Sequence, residues 1–220
     1  MQQVTPNVFA ETHFRGCNPG FVVTSDGIVM IDTPQMPSQA LVYKKEILKK
    51  GAVRYLINTE PHGDHYMGNC FYHAPVVAHE ETRNRIVQSD IAGIKDRIKM
   101  MDPDFKDVES FSICAPTITF TNTMKLYCGS HEFVLYHLPG HTFSETAVFV
   151  PQERVVFTGD NIFYQCQTFF QEALPKEWLV SLETLKTLDA DTIIPGHGEV
   201  CPMSYIDEQA AFIHDWIRAV

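Results

Sequence analysis

The stretch TEPHGDHYMGN, residues 59–69, places Glu60, His62, Asp64 and His65 directly behind the apolar run VRYLIN. Two carboxylates and two imidazoles crowded against a buried strand repel and desolvate one another, and a bound cation offsets both costs. A chain carrying this stretch must present it at the C-terminal end of a strand and bring further ligands to the same place. Three other segments have the required form: LPGHTFSE with His141, VVFTGDN with Asp160 and IIPGHGE with His197. Each is an apolar run that breaks into a turn, with glycine directly before the candidate ligand. In extended backbone, alternate side chains share a side. Glu60 and His62 would then grip one cation while Asp64 and His65 diverge towards a second, with Gly63 supplying the tight backbone path between them.

The rest of the chain indicates how these strand ends converge. GFVVTSDGIVMIDT reads as two strands joined at Asp26-Gly27. SQALVYKKEILKKG reads as an amphipathic helix closed by Gly51, and VRYLIN as a buried strand. APVVAHEETRNRI is a strand followed by a helix whose character continues towards Met101, and DPDFKDVES is a surface loop. TITF, MKLYCG and HEFVLYHL are three β runs, and TAVFVPQERVVFTGD is a second hairpin turning at Gln152-Glu153. PKEWLVSLETLKTL is a helix opening near Pro175, DTIIPGHG a strand and turn, and SYIDEQAAFIHDWIRA a closing amphipathic helix. Both halves run from antiparallel strands into helix and strand. The expected architecture is therefore α/β, two sheets packed face to face with helices outside, as one domain over residues 1–220.

Charge narrows the partners. A net charge of -10 argues against nucleic acid or an anionic membrane, because phosphate binding needs a basic face. A small-molecule substrate is expected, and homo-oligomerisation stays open. The six cysteines (17, 70, 114, 128, 166 and 201) form no C-x-x-C pair, so reduced thiols in a cytoplasmic protein are expected. The start lacks the basic and apolar regions of a signal peptide, and no apolar run approaches a membrane span of about 20 residues. No nucleotide-binding glycine loop is present.

E-P-H-G-D-H followed by GHT, TGD and PGHG resembles the metallo-β-lactamase superfamily, whose signature is H-x-H-x-D-H with distant His, Asp and His. The likeness runs from the GFVV…IDT hairpin to PGHG. It implies an αβ/βα sandwich of two mixed β-sheets flanked by helices, with metals at one sheet edge. Carried over by position, Glu60, His62 and His141 hold the first metal, Asp64, His65 and His197 the second, and Asp160 bridges both. The implied cofactor is zinc, one or two ions per chain. Glu60 departs from the family's histidine. As a hard, charged ligand it would shift preference towards manganese or iron; it could also swing away as a proton acceptor, or play no part.

The resemblance implies hydrolysis by a metal-bound hydroxide, with Asp64 and Asp160 as the catalytic carboxylates. The expected substrate is a small ester, lactone, thioester or cyclic amide. True β-lactamases of the family replace the bridging aspartate with cysteine or serine, so Asp160 argues against antibiotic hydrolysis. Hydroxyacylglutathione hydrolases carry a helical extension that the short segment after His197 does not match. The competing class is a non-haem iron oxidoreductase with one or two irons, similar to the sulfur dioxygenases of this fold.

Outside the motifs, Asp32 ends a buried strand and would orient the ligand loop. Cys17 is read as a buried spectator thiol. His13, His73, His79, His131, His137 and His214 are read as surface or packing residues. The segment NIFYQCQTFFQEALP holds Phe163, Tyr164, Phe169 and Phe170 without lysine or arginine. It would overhang the metals and give the pocket an aromatic wall suited to an apolar or aromatic substrate. The alternative is that these rings only anchor the loop in the core.

Overall fold

In a computed structural model describing residues 1–220, the chain forms two mixed β-sheets packed face to face. The first sheet runs in chain order: β1 (Gln2–Gln3), β2 (Val8–Ala10), β3 (Gly20–Thr24), β4 (Gly27–Ile31), β5 (Val53–Ile57), β6 (Val76–His79) and β7 (Ile118–Phe120). β1 to β4 pair antiparallel, whereas β4 to β7 pair parallel. Parallel pairing requires crossovers. Helix α1 (Pro37–Leu48) links β4 to β5, and the one-turn helix α2 (Gly63–Tyr66) lies between β5 and β6. Helices α3 (Glu80–Val87) and α4 (Ile91–Met101) link β6 to β7. Asp90 breaks the run between the last two by capping α4 through the amide of Ala92.

The second sheet holds β8 (Thr123–Cys128), β9 (His131–His137), β10 (Thr146–Val150) and β11 (Val155–Phe157). Past β12 (Phe163–Tyr164) and helix α5 (Pro175–Lys186) come β13 (Thr192–Ile194), β14 (His197–Gly198), β15 (Cys201–Pro202) and helix α6 (Tyr205–Ala219). Its order is β15-β13-β11-β10-β9-β8, with only β11 and β13 parallel. β12 and β14 pair separately, opposing Phe163 to His197.

Strand alternation explains the layering. Val8, Val22, Val29, Ile31, Ile57 and Val77 face Leu135, Val148, Val155 and Phe157 of the other sheet in the central core. Their neighbours Phe9, Phe21, Ile28, Met30 and Leu56 point outwards to Tyr43 and Ile47 of α1. On the far side, Ala147, Phe149, Val156 and Ile193 meet Trp178 and Leu182 of α5 and Ile206 and Ile213 of α6. Both faces of each sheet are covered, which is why β3 and β4 read as continuous apolar runs. The αβ/βα sandwich of two mixed sheets expected above is thus the observed one. No helix is long and apolar enough to cross a membrane.

The short strands β1, β2, β12, β14 and β15 carry no apolar alternation of their own and were not expected. The first hairpin turns one residue earlier than expected: Thr24 opposes Gly27, so Ser25 and Asp26 form the loop. The expected DPDFKDVES loop holds only a short 3-10 turn at Val108–Ser110.

Candidate metal centre

β5 ends at Ile57, and the chain then bends through residues 59–62, which carry Glu60 and His62, before Gly63 to Tyr66 close into α2. Asp64 and His65 therefore sit on a helical turn rather than in continued extended backbone. Gly63 does not adopt the left-handed region, so it is not the conformational hinge expected of it. What it provides is room: a Cβ there would lie 3.1 Å from Met67 Sδ.

Asp32 holds this loop. It follows β4 at φ 56, a region costly for a non-glycine residue, and its neighbours maintain it. Asp32 Oδ1 accepts from the amide of Thr59 (2.8 Å), and Oδ2 accepts from Thr59 Oγ1 (2.6 Å) and His65 Nδ1 (2.9 Å). With Nδ1–H donated to Asp32, His65 turns its other nitrogen, Nε2, into the centre. Asn58 and Asn69 brace the loop, the former donating to the carbonyl of His65 at 3.0 Å.

The other three segments arrive from the second sheet. His141 follows β9, and its Nδ1 donates to the carbonyl of Phe169 at 3.0 Å, leaving Nε2 facing inwards. Asp160 lies in the turn after β11, where Gly159 adopts φ +53. A Cβ on Gly159 would meet Glu145 Oε1 at 2.3 Å, and one on Gly196 would meet Asp160 Oδ1 at 1.9 Å. Glycine before the ligand is thus a spatial requirement at both positions. His197 stacks on Phe163, with centroids 5.4 Å apart and planes within 3°.

All seven expected ligands converge. Potential ligand atoms of Glu60, His62 and His141 lie within 4.8 Å of one another, as do those of Asp64, His65 and His197. Asp160 stands between the two groups. Its Oδ1 is 3.3 Å from His65 Nε2, and its Oδ2 is 3.4 Å from His197 Nε2 and 3.6 Å from His141 Nε2. Asp64 Oδ2 is 3.3 Å from His197 Nε2.

The electrostatics are those of a cation site. Burial opposes ionisation of Glu60, but the neighbouring His65 and His62 imidazoles bring its pKa down to about 2. Burial likewise opposes charge on His197, yet the Asp160 carboxylate and hydrogen bonds to Asp160 and Asp64 hold it at about 10. His62 is held at about 9 against burial, by Glu60 and by a hydrogen bond to Glu172. Three buried atoms at the centre have no hydrogen-bond partner: Glu60 Oε2, His65 Nε2 and Asp160 Oδ1. Orphaned buried polar atoms are rare in folded proteins. Potential ligand atoms of these same three residues lie within 4.8 Å of one another, so the residues fit divalent cations.

Several residues at the centre escaped the sequence reading. Glu145 is fully buried; its Oε1 accepts from the amide of Asp160 at 2.8 Å and its Oε2 from Thr142 Oγ1 at 3.1 Å. Burial, then the charges of Glu60 and Asp160, push its carboxyl well above the usual range. Its one signal was an acidic residue directly before the apolar run TAVFV. Glu172 accepts from His62 Nε2 at 2.6 Å and is clamped by Arg85 at 2.6 and 3.0 Å. Asn18 donates to the carbonyls of Pro195 and Gly198, fixing the turn before and after His197. Local pattern gave no hint of Glu172 or Asn18.

A cavity of about 370 Å³ opens onto the centre, lined by Arg15, Gln35, Phe169 and Gln171 beside the ligands His62, Asp64, His141, Asp160 and His197. The expected aromatic wall is not formed. Phe163 lies beneath His197 and Tyr164 packs on Tyr205. Phe170 stacks on Trp216 with centroids 4.4 Å apart. Only Phe169 faces the cavity, because the segment's first aromatics are drawn into β12 and Phe170 into the α5–α6 core.

A family model for the metallo-beta-lactamase superfamily matches residues 13–197. The chain belongs to the metallo-β-lactamase superfamily. A metallo-beta-lactamase from Pontibacter korlensis superposes with a TM-score of 0.77 over 97% of this chain and 98% of that one, at 20% identity. That superfamily likeness is one of fold. Among curated proteins, a hydroxyacylglutathione hydrolase from Methylococcus capsulatus is 28% identical over 72% of this chain and 51% of its own length. A linear primary-alkylsulfatase from a Pseudomonas species is 22% identical over 86% of this chain and 44% of its own. The chain thus spans about half the length of these superfamily relatives.

Proposed function

We propose that this chain is a metal-dependent hydrolase of a small ester, thioester or lactone carrying a polar or anionic tail. The observation that carries it is the clustering of seven candidate ligand side chains, three of them with an orphaned buried atom and five of them lining one cavity. Relatives named hydroxyacylglutathione hydrolase and linear primary-alkylsulfatase support a hydrolytic reading. Bound divalent cations would supply acidified water and polarise the scissile group. Glu60, His62 and His141 would hold one cation, Asp64, His65 and His197 the other, and Asp160 both. Zinc suits the imidazoles, and the carboxylate of Glu60 extends the range to manganese or iron. Asp64 lines the cavity and would take a proton from attacking water.

The apolar substrate expected from the sequence rested on the aromatic wall, and with Phe169 alone in the cavity that reading gives way to a more polar one. One aromatic face remains for an apolar moiety. Arg15 is the one lysine or arginine lining the cavity, held at its mouth by Gly16, whose φ of +95 lets the backbone approach Asp64 closely. Its guanidinium fits a carboxylate or sulfate.

The test is a panel of esters, thioesters and lactones with and without an anionic tail, run on protein before and after chelation, with metal analysis. Hydrolysis that is lost on chelation and restored by added metal is expected. Arg15→Ala should raise KM for tailed substrates and leave neutral ones little changed. Undiminished hydrolysis after chelation, or oxygen consumption without hydrolysis, would overturn the reading.

A further inference from the structure

Helix α3 carries no candidate ligand, yet three positions along it, three residues apart and so near one face, reach the second sheet. Arg85 clamps Glu172 at 2.6 and 3.0 Å, and Glu172 accepts from His62. Thr82 Oγ1 donates to Ser144 Oγ at 2.9 Å, both residues being buried. The residue after Ser144 is Glu145, which accepts from the amide of Asp160. His79, at the helix N-terminus, stacks on His137 of β9 with centroids 4.1 Å apart and planes within 27°.

His79 is tied down at both ring nitrogens. The amide of Glu81 donates to Nδ1 at 3.1 Å and so caps α3. A backbone amide can only donate, so Nδ1 must hold a lone pair. Nε2 lies 2.9 Å from the carbonyl of Thr121, which can only accept, so Nε2 carries the proton. The imidazole that fits both partners is the neutral one. Burial, then the neighbouring His137, hold its pKa below the ordinary value, against the Thr121 carbonyl and the carboxylates of Glu81 and Glu80. His137 from β9 and Glu80 and Glu81 of its own helix are the titratable groups facing it. β7 and the turn after His141 present the rings of Phe120 and Phe143. A proton added at Nδ1 would point at the Glu81 N–H and remove the cap.

We propose that His79 is a positioning residue for the metal centre, a neutral cap that keeps α3 in place so that Thr82 and Arg85 can hold the loops behind Asp160 and His62. The inference goes beyond the hydrolase reading and rests on it only in treating the centre as a cation site. Losing the cap frees the first turn of α3, which carries Thr82, and Arg85 follows one turn later. A histidine whose pKa is lowered in the folded state adds stability that is present above its unfolded value of about 6.5 and is lost as pH falls below it. The brace therefore slackens on mild acidification.

The experiment compares full-length wild type with His79→Asn, in which asparagine keeps an acceptor for the Glu81 amide but does not titrate. NMR spectra of the chelator-treated chain are followed from about pH 8 to about pH 5, the range in which an imidazole changes charge. In wild type the Glu81 amide and the Arg85 Nε–H should shift with one shared midpoint below about 6.5, and in His79→Asn that midpoint should vanish from both. Calorimetric zinc titration at about pH 7.5 and about pH 5.5 supplies the second readout. Protonation of the ligand imidazoles weakens binding in both proteins alike, so the ratio of the two dissociation constants should be at least about threefold larger in wild type. At the higher pH, His79→Ala should bind zinc more weakly than wild type and His79→Asn about as well. An Arg85 Nε–H that ignores the Glu81 midpoint, or equal ratios in wild type and His79→Asn, would overturn the proposal. Should His79→Asn not fold, judged by circular dichroism, the shared midpoint in wild type decides alone. Wild-type protein that binds no zinc, manganese or iron would instead overturn the metal-hydrolase reading, and the NMR titration would still decide the cap.

Discussion

Glu145 shows how a residue behind the ligands sets their geometry. Its Oε1 is the acceptor for the amide of Asp160, and the residue before that amide, Gly159, sits at φ +53 where a Cβ would strike that same oxygen. Burial and the neighbouring carboxylates raise its pKa well above the ordinary range. A neutral isostere should then serve almost as well. Glu145→Gln is expected to stay within about 1 kcal/mol of wild type and to retain its metal. Glu145→Ala leaves a buried amide unpaired and should lose about 1–3 kcal/mol, together with metal content. Denaturant unfolding and metal analysis check both, and a glutamine variant as damaged as the alanine one would show that the charge is required.

Among the elements, the segment after β12 matters more through its backbone and one acidic side chain than through its aromatics. The carbonyl of Phe169 accepts from His141, and Glu172 accepts from His62, so four consecutive residues orient two imidazoles of the first group. Arg85 on α3 anchors this stretch to the opposite sheet's layer. Glu172 is 40% exposed on its side chain, so its removal should leave the fold intact. Glu172→Ala is expected to weaken metal binding about 10–100-fold, the usual effect of losing a carboxylate that orients a ligating histidine. Metal titration reads this directly, and unchanged affinity would show that Phe169 and packing suffice. Apolar alternation made the long strands and helices legible, from β3 through α6. β12 and β14 were not, because two-residue strands are defined only by the partner they find.

Across the whole molecule, one polar junction ties the two sheets together away from the metal centre. Glu153, in the turn between β10 and β11, accepts from Asn7 at 2.7 Å, from His131 at 2.8 Å and from Thr5. Burial works against its ionisation, but the hydrogen bonds from His131, Thr5 and Asn7 and the His131 charge lower its pKa below the ordinary carboxylate value. A carboxylate lowered in the folded state adds stability that is fully present above its unfolded pKa of about 4.3 and is lost as pH falls through the folded value. Wild type should therefore lose stability on acidification below about pH 4.5 more steeply than Glu153→Gln. Glu153→Ala should cost about 1–3 kcal/mol at neutral pH by stranding its donors. Thermal melts across pH 3–7 test this, and parallel acid limbs for wild type and Glu153→Gln would refute it.

The seven candidate residues that cluster at the sheet edge and the layered αβ/βα architecture were legible in the chain itself. Glycine before a ligand at a strand end, and period-two apolar runs, are local patterns with few other physical uses. Glu145, Glu172, Arg15 and Asn18 were not legible, because each acts through a partner distant in sequence that only the packing of the two sheets brings near. The same holds for the aromatics after Asp160. Composition showed four rings near the centre, but β12 pairing and the α5–α6 core took three of them. Which face a ring presents depends on competition for burial among all neighbours, and that competition is settled only when the whole chain has packed.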